Sequence, residues 1–484
     1  MKSINKLAVA AVLALSSASL ASAATIYHVT GSTAFRVAVV SAEVQICGGN
    51  SAYASYYGSN TSLTGANESQ VQNGAVGSAT IIFENDFSGS ISGDETLVDG
   101  IAGKTNNFVS FPHVVTPGAA DAPTNNVTAA SVATSTAAAG GVNAAAPSAT
   151  ESVAPDIAFS DVSFDTADQI INASTDKTTT QPTATQVVGI IPFVFVANGT
   201  SDQTSKLANL SMDPQKFTYV WNSGGFATLS FFTGVNADEA VTVYPFGRDA
   251  DSGTRSTALS ETGYGLDGSG IVTSLVSQYL PYSSQSAANS NQLTGTGSGV
   301  IGNDTSLTNP TIAALNTVPL ETVASYKMVA GDGGYNSGGN LATGMSTAFT
   351  GSATVVMTYL GVSDAKSALT ASGTNRQAAQ LMAYNGVSFY PFVPSGTGTG
   401  TLPNGLTSAQ NQALIYEGKY TFWGYEHANS NSAAASIVYS NSQGSSNPTL
   451  YYELFTNSFD TLSSNGVAYN SMNVFRTDDG ENIQ

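Results

Sequence analysis

The segment VYPFGRDADSGTRSTALSETGYG (Val243–Gly265) is the part of the chain that indicates most clearly how it folds. A short apolar run typical of a buried strand leads through Arg248 into a turn of small hydroxyl residues and then into a helix that should end at Gly263. Ser252 and Thr254 stand at the predicted helix start. Because the first N–H groups of a helix are unpaired and carry partial positive charge, this turn is predicted to bind an anion.

Strand-to-helix units of this kind recur along the chain. They run from Ile26–Thr30 into Ala34–Val44, from Ala79–Phe83 into Asp94–Ile101, and from Val241–Phe246 into Ser256–Glu261. In the first unit the apolar residues have the spacing of one buried helix face, at Phe35, Ala38, Val39 and Ala42. The alternation predicts the α/β class, with helices packed on mostly parallel sheets.

The apolar content of the chain is unevenly distributed. Val187–Val196 (VVGIIPFVFV) is almost continuously apolar, which predicts a parallel strand covered on both faces. Thr116–Pro155 and Tyr282–Asn309 consist mainly of small and polar residues and are predicted to be an inserted loop or flap and a second low-complexity region. Cys47 is the single cysteine, so no disulfide can form within the chain, and we expect it to be a small buried residue.

The first residues have the pattern of a secretory signal peptide. Lys2 and Lys6 precede the apolar run Leu7–Leu15, and Ala21-Ser22-Ala23 provides a small-residue cleavage site. We therefore expect residues 1–23 to be removed and the protein to be periplasmic or secreted. No cysteine follows the cleavage site, so no lipid anchor is expected there.

The composition argues against a nucleic-acid partner. Without Lys2 and Lys6, 33 acidic and 12 basic residues remain, a formal charge of −21. Nucleic acids and acidic membrane surfaces repel such a chain. Only 10% of the residues are charged, so the acidity mainly reflects the scarcity of Lys and Arg.

Four turns between predicted strands and helices share small hydroxyl residues. They are TGSTAFR (Thr30–Arg36), FSGSISGDETLVDG (Phe87–Gly100), APDIAFSDVSF (Ala154–Phe164) and Arg248–Thr254. One Ser or Thr before a helix is most often only a cap. Four such turns in one chain are harder to explain in that way, because ligands of open α/β sheets bind beyond the carboxyl ends of the strands.

These segments resemble, in order, the periplasmic phosphate-binding proteins of ABC importers, within the type II periplasmic-binding-protein superfamily. RDADSGTR is the best match, to the family's arginine followed by Ser-Gly-Thr, and DIAFSDVSF resembles its Ser-Asp strand end. IIPFVFVANG resembles an apolar strand of the family, FTYVWNSG the Trp-containing segment that follows it, and EGKYTFWGYE (Glu417–Glu426) a late segment.

The resemblance implies a two-lobed fold in which two crossing strands form the hinge. Lobe 1 would comprise residues 24–188 plus 380–484, and lobe 2 residues 189–379. The ligand would lie between the lobes and contact Ser32, Thr33, Ser90 (or else Ser88), Asp161, Arg248, Ser252, Gly253 and Thr254. Inorganic phosphate or a similar oxyanion is the implied ligand and an ABC-importer permease the implied partner; we expect a monomer without a cofactor.

Asp161 is the residue expected to select the anion. Phosphate keeps a proton near neutral pH and can therefore donate a hydrogen bond to a carboxylate. Sulfate has no such proton and cannot. A small oxyanion needs only neutral donors and one arginine, so the acidic chain can still bind it. The alternative is that Asp161 forms a local Asx turn or caps the next helix.

Two other classes of function fit the sequence less well. The three histidines, His28, His113 and His427, lack the spacing of metal ligands, and no nucleophile-elbow motif is present. Asp249 and Asp251 flank the anion turn and are better explained as solvated turn residues, so no enzyme activity is expected. A secreted surface or matrix protein that reuses the fold remains the alternative, although such a protein would not need the arginine and aspartate together.

Overall fold

The computed structural model describes the chain in segments. They are residues 24–48, 53–57, 66–73, 80–99, 106, 108–109, 142–143, 150–168, 181–222, 227–249, 252–264, 278–281, 315–317, 322–323, 327–328, 335, 337–349, 353–374, 376–392, 401–431, 434–439, 449–456 and 466–484. The predicted signal peptide, Tyr282–Asn309, most of Thr116–Pro155, His113 and Asp251 lie outside the described residues.

Strands and helices alternate through the described chain. The strands are β1 (Thr25–Gly31), β2 (Tyr53–Tyr57), β3 (Glu68–Asn73), β4 (Ile81–Asp86), β5 (Phe108–Val109), β6 (Val142–Asn143), β7 (Thr150–Glu151), β8 (Ile157–Ser160), β9 (Ala184–Gly199), β10 (Ser211–Met212), β11 (Thr242–Pro245), β12 (Tyr279–Pro281), β13 (Leu315–Thr317), β14 (Thr322–Val323), β15 (Lys327–Met328), β16 (Thr354–Gly361), β17 (Gln380–Leu381), β18 (Ala383–Tyr384) and β19 (Trp423–Ser430). The helices are α1 (Arg36–Ile46), α2 (Ser90–Asp99), α3 (Thr204–Leu207), α4 (Pro214–Asn222), α5 (Ser230–Thr233), α6 (Gly253–Thr262), α7 (Gly338–Met345), α8 (Val362–Leu369), α9 (Ser408–Tyr416), α10 (Ala435–Tyr439) and α11 (Leu450–Thr456), with short 3-10 helices at Asn236–Ala240 and Tyr469–Ser471.

The α/β class is confirmed. One large sheet runs in the order β11-β16-β9-β19-β8-β1-β4-β3-β2-β6, with β17 added to β9, and helices flank it. Strand β1 pairs in parallel with both β4 and β8, and β11 pairs in parallel with β16. The four turns singled out in the sequence follow β1, β4, β8 and β11, so they lie at carboxyl ends of strands.

The predicted strand-to-helix units are present, with shifted boundaries. Helix α2 begins at Ser90 rather than Asp94, and α6 begins at Gly253 rather than Ser256. In α1 the predicted face is buried, but Val40 and Val44 are buried as well. That helix is covered on more than one side because α11 packs against it.

The prediction that Val187–Val196 forms a parallel strand is wrong in direction. This run lies in β9, which is antiparallel to β16, β17 and β19. Burial on both faces makes a strand continuously apolar whichever way its neighbours run, so the composition could not decide the direction. Residues 184–192 of β9 pair with β19 and residues 193–199 with β16, so the strand passes from one set of partners to another.

The core gathers around this sheet. Trp221 and Trp423 are among its largest fully buried side chains. Cys47 is buried as predicted, and burial raises the pKa of its thiol. Within the part of the chain that is described, no helix has both the length and the apolar character needed to cross a membrane.

Candidate anion-binding site

The four turns meet around one small cavity. Its lining side chains lie so close together that the space between them has no room for a water molecule. Its lining contains seven of the eight residues predicted from the sequence, completed by Ala34 and Gly89: Thr33, Ser90, Asp161, Arg248, Ser252, Gly253 and Thr254. Strands β1, β4, β8 and β11 place these residues together because each turn leaves its strand at the carboxyl end.

Helix α6 begins at the cavity. The Ser252 hydroxyl caps the helix by accepting a hydrogen bond from the Arg255 backbone N–H at 3.2 Å. Gly263 ends it in the left-handed conformation, with φ of +62°, as the sequence predicts. The amino-terminal end of the helix therefore presents its partial positive charge to the cavity.

Gly253 permits the close approach of α6 to the third turn. A Cβ at this position would stand 1.8 Å from Asp161 Oδ1 and 2.5 Å from Ser90 Oγ. Neither distance is tolerable, so a larger residue would displace either the Asp161 and Ser90 side chains or the start of the helix. Glycine is thus a steric requirement of the site.

Asp161 is the central acceptor. Its side chain is 1% exposed and accepts hydrogen bonds from the Ser90 hydroxyl at Oδ1 and from the Thr254 hydroxyl at Oδ2, the latter at 3.1 Å. Both donors are distant in sequence, which favours a role in the site over a local Asx turn. Burial raises the pKa of Asp161, although the Ser90 hydrogen bond and the charge of Arg248 act in the opposite direction.

Arg248 is the cation of the cavity and is held by backbone atoms. Its Nε donates to the Tyr335 carbonyl at 2.9 Å, and its own carbonyl accepts from Arg255 Nη1 at 2.9 Å. A Gln278 side-chain N–H also reaches that carbonyl, at 2.9 Å. The guanidinium is 2% exposed, so its charge acts in a desolvated environment.

Sequence reasoning missed an acidic neighbour of Arg248. Asp364, on α8, and Arg248 both lie close to Gly338. A Cβ added to this glycine would be 1.8 Å from Asp364 Oδ2 and 3.5 Å from Arg248 Nη1. Burial raises the pKa of Asp364, whereas the charges of Arg36 and Arg248 lower it. No motif marks an aspartate so far along the chain, so only the fold could reveal it.

Ser32 differs in position from the other predicted site residues. It does not line the cavity; its backbone N–H donates to the Phe159 carbonyl at 2.7 Å, and its hydroxyl accepts from the Phe35 N–H at 3.1 Å. The Ser32 N–H therefore joins the end of β1 to β8, and the ligand contact expected of Ser32 stays a prediction. Thr33, the next residue, does line the cavity.

Of the two candidate serines of the second turn, Ser90 lies at the cavity and Ser88 does not line it. The Ser88 hydroxyl lies 3.1 Å from the hydroxyl of Thr30. The Thr30 hydroxyl donates to the Asp86 carbonyl at 2.7 Å. The hydrogen bonds of Thr30 therefore connect the end of β1 to the end of β4.

Two further carboxyl groups near Asp161 have no sequence signal. Asp94 and Glu426 are both fully buried, and Asn429 donates to Asp94 at 2.7 Å. Burial raises the pKa of Asp94 to about 7 and that of Glu426 well above its usual range. Burial thus favours the protonated, uncharged form of both acids, which reduces the negative potential that an anion would meet.

The remaining polar candidates do not form a metal site in the described residues. His28 contacts Asp156 at 3.2 Å, and His427 is buried on β19. No group of metal-ligating side chains with suitable geometry occurs among the residues that were placed. Asp249 does not line the cavity.

Comparison with known proteins gave two distant structural matches. No protein-family model matches the chain, and no curated protein matches it. A Clostridium perfringens structure named as a phosphate ABC transporter substrate-binding protein, with bound phosphate, is 8% identical at a TM-score of 0.39, covering 92% of this chain and 99% of that one. A protein of Planctomyces limnophilus named as phosphate-binding is 9% identical at a TM-score of 0.33, covering 93% and 95%. At these scores the likeness is one of distant fold, and it does not identify a ligand.

Proposed function

We propose that the chain is an extracytoplasmic solute-binding protein that captures inorganic phosphate, or a similar tetrahedral oxyanion, for an ABC importer. The observation that supports this most strongly is the convergence of Thr33, Ser90, Asp161, Arg248 and the α6 N-terminus on one cavity. Hydroxyl donors, backbone N–H groups and one guanidinium are the groups that bind such an anion.

The space between the turns favours a small ligand. The described lining residues close it so far that one water molecule does not fit, so an anion can enter only if the lining moves apart. A tetrahedral oxyanion has five heavy atoms and needs a small movement of this kind, whereas a sugar or a peptide needs a larger one. The burial of Asp161 and Arg248 further favours a ligand that is fully dehydrated.

The carboxylate at the centre favours phosphate over sulfate. Asp161 adds a negative charge to an anion site. This costs energy unless the ligand donates a hydrogen bond to the carboxylate. Phosphate near neutral pH carries such a proton, and sulfate does not. The same carboxylate therefore attracts one anion and repels the other.

The proposal includes a two-lobed arrangement. Lobe 1 would comprise residues 24–188 plus 380–484 and lobe 2 residues 189–379, with two crossing strands as the hinge between them. An anion that bridges Asp161 and Arg248 would stabilise the closed state, which a permease could distinguish from the empty protein. The mature protein would act as a monomer in the periplasm or outside the cell, after loss of residues 1–23.

Calorimetry on the mature chain tests the proposal. Phosphate should bind tightly and sulfate weakly. If neither anion binds, the proposed function is wrong and the surface or matrix alternative gains support. If both bind with equal affinity, an oxyanion site exists but the selective role of Asp161 is wrong.

A further inference from the structure

Residues 466–484 lie against one of the turns that form the cavity and against the helix that follows another of them. We call this stretch the C-terminal segment. It contacts the turn after β8, which carries Asp161, and the carboxyl-terminal end of α6, whose other end opens on the cavity. These two parts of the site are about ninety residues apart in sequence and meet at the hydrogen bond from Thr254 to Asp161.

The first attachment is made through Ser163. Its backbone N–H donates to Asp479 Oδ2 at 2.7 Å, and its hydroxyl donates to Asp478 Oδ1 at 3.1 Å. Ser163 lies two residues after Asp161 and directly before the helical residues 164–168. Two carboxylates at the start of a helix are favourable because they face its unpaired N–H groups. The attachment therefore holds the Asp161 turn from outside the cavity.

The second attachment is made through Arg476. It forms an ion pair with Glu261 of α6 at 2.7 Å, and both side chains are less than a tenth exposed, at 4% and 7%. Its guanidinium also lies 4.5 Å from the centre of the Trp423 ring. Separating such a pair would leave two buried charges without partners, which is costly.

A glycine adds a close contact to the same helix. Gly480 has φ of +74°, in the left-handed region, and a Cβ there would stand 2.4 Å from the Ser260 carbonyl oxygen. The backbone of the segment therefore lies directly on the last turn of α6. A side chain at this position would lift the segment from the helix.

We propose that the C-terminal segment is a clasp that holds the Asp161 turn and α6 together and so slows the opening of the anion cavity. The Ser163 and Arg476 attachments sit on different parts of the site, so the cavity cannot widen along this line until one of them breaks. As far as ligand exchange is concerned, this inference rests on the proposed function. The clasp itself is a property of the fold and can be tested without a ligand.

The first experiment measures phosphate release. The mature chain carrying Asp478→Ala and Asp479→Ala is loaded with radiolabelled phosphate and chased with unlabelled phosphate. Release should be about tenfold faster than from the wild type, because changes of this kind act mainly on the dissociation rate. Glu481→Ala is the matched control: it removes an exposed carboxylate from the same segment and should leave the rate unchanged. Equal rates in the double variant and the control would overturn the proposal.

The second experiment uses ligand-free protein. Amide hydrogen exchange in residues 157–168 and 253–262 should be faster in the double variant than in Glu481→Ala. It should also be faster in Gly480→Ala than in Glu481→Ala, because Gly480→Ala displaces the segment from α6. Unchanged exchange in both test variants would overturn the clasp. If the wild type does not bind phosphate, the proposed function fails, and this experiment still decides whether the clasp exists.

Discussion

At the scale of single residues, the proposed function assigns the choice of anion to Asp161. It is buried and already receives hydroxyl hydrogen bonds from Ser90 and Thr254. Asp161→Asn replaces an acceptor by a group that can also donate, so sulfate should bind better and phosphate worse. We expect phosphate to lose about 1–3 kcal/mol, the cost of an altered buried hydrogen bond. Calorimetry with both anions measures the change in selectivity.

A matched control separates this effect from a general loss of charge. Asp202 is exposed and does not line the cavity, so Asp202→Asn should leave both affinities unchanged. The role assigned to Asp161 is wrong if its variant keeps the wild-type preference for phosphate while remaining folded by circular dichroism.

Among the described lining residues, Arg248 is the one whose charge attracts an anion. Arg248→Ala should weaken phosphate binding by at least about 2 kcal/mol, a usual cost for truncating a buried charge-assisted contact. Arg376→Ala removes an exposed arginine that hydrogen-bonds the Thr343 carbonyl, away from the cavity, and should have no effect on affinity. Isothermal titration of both variants tests this, and an unchanged affinity in Arg248→Ala would place the anion elsewhere.

At the scale of elements, the start of α6 has to approach the Asp161 turn. Gly253→Ala would put a Cβ 1.8 Å from Asp161 Oδ1, so we expect binding to be abolished while the helix is kept. Gly339→Ala is the matched control near the start of α7, where the nearest atom within reach is Asp364 Oδ1 at 3.8 Å. That control should be neutral or slightly stabilising, because alanine is favoured over glycine in a helix. Wild-type affinity in Gly253→Ala would contradict the site geometry.

Strand β9 shows what an element can and cannot reveal through its composition. Its apolar run correctly indicates a strand covered on both faces, since the burial of residues 188–199 is complete. The run carries no information on direction, because backbone pairing uses the same groups in parallel and antiparallel ladders. β9 is antiparallel to β16 and β19 because the fold places these two strands beside it in the opposite direction.

At the scale of the whole molecule, buried carboxyl groups make stability depend on pH. Glu43 is fully buried on α1, where burial raises its pKa to about 8 although Asn85 donates to it at 2.8 Å. Folding thus keeps a proton that the unfolded chain releases near its ordinary pKa of 4.5. Stability therefore falls as pH rises from that value through the folded pKa. We expect the free energy of unfolding to be lower at about pH 8 than at about pH 5.

Glu43→Gln isolates this contribution. Glutamine can still accept the Asn85 hydrogen bond but does not titrate, so the pH dependence of urea unfolding should become flatter, by at most a few kcal/mol since one unit of pKa difference is about 1.4 kcal/mol. Glu239→Gln, on an exposed residue, serves as the control and should follow the wild type. A curve for Glu43→Gln that coincides with the wild type would show that Glu43 is charged in the folded protein.

The α/β class, the order of strands and helices, the stop of α6 at Gly263 and the burial of Cys47 could be predicted from the sequence. Each depends on local chemistry: apolar spacing, a capping hydroxyl, a glycine that tolerates positive φ. The four hydroxyl-rich turns were recognisable for the same reason, since a ligand-binding turn must carry its donors within a few residues.

What only the tertiary structure decided concerns contacts between distant residues. The meeting of the turns at one cavity, the pairing direction of β9, the backbone contacts of Ser32, and the positions of Asp364 and Glu426 all depend on which strands lie side by side. That order is set by the packing of the entire sheet and its helices, and no short stretch of sequence encodes it. Local pattern therefore determined the parts of this protein, and long-range packing determined how they face one another.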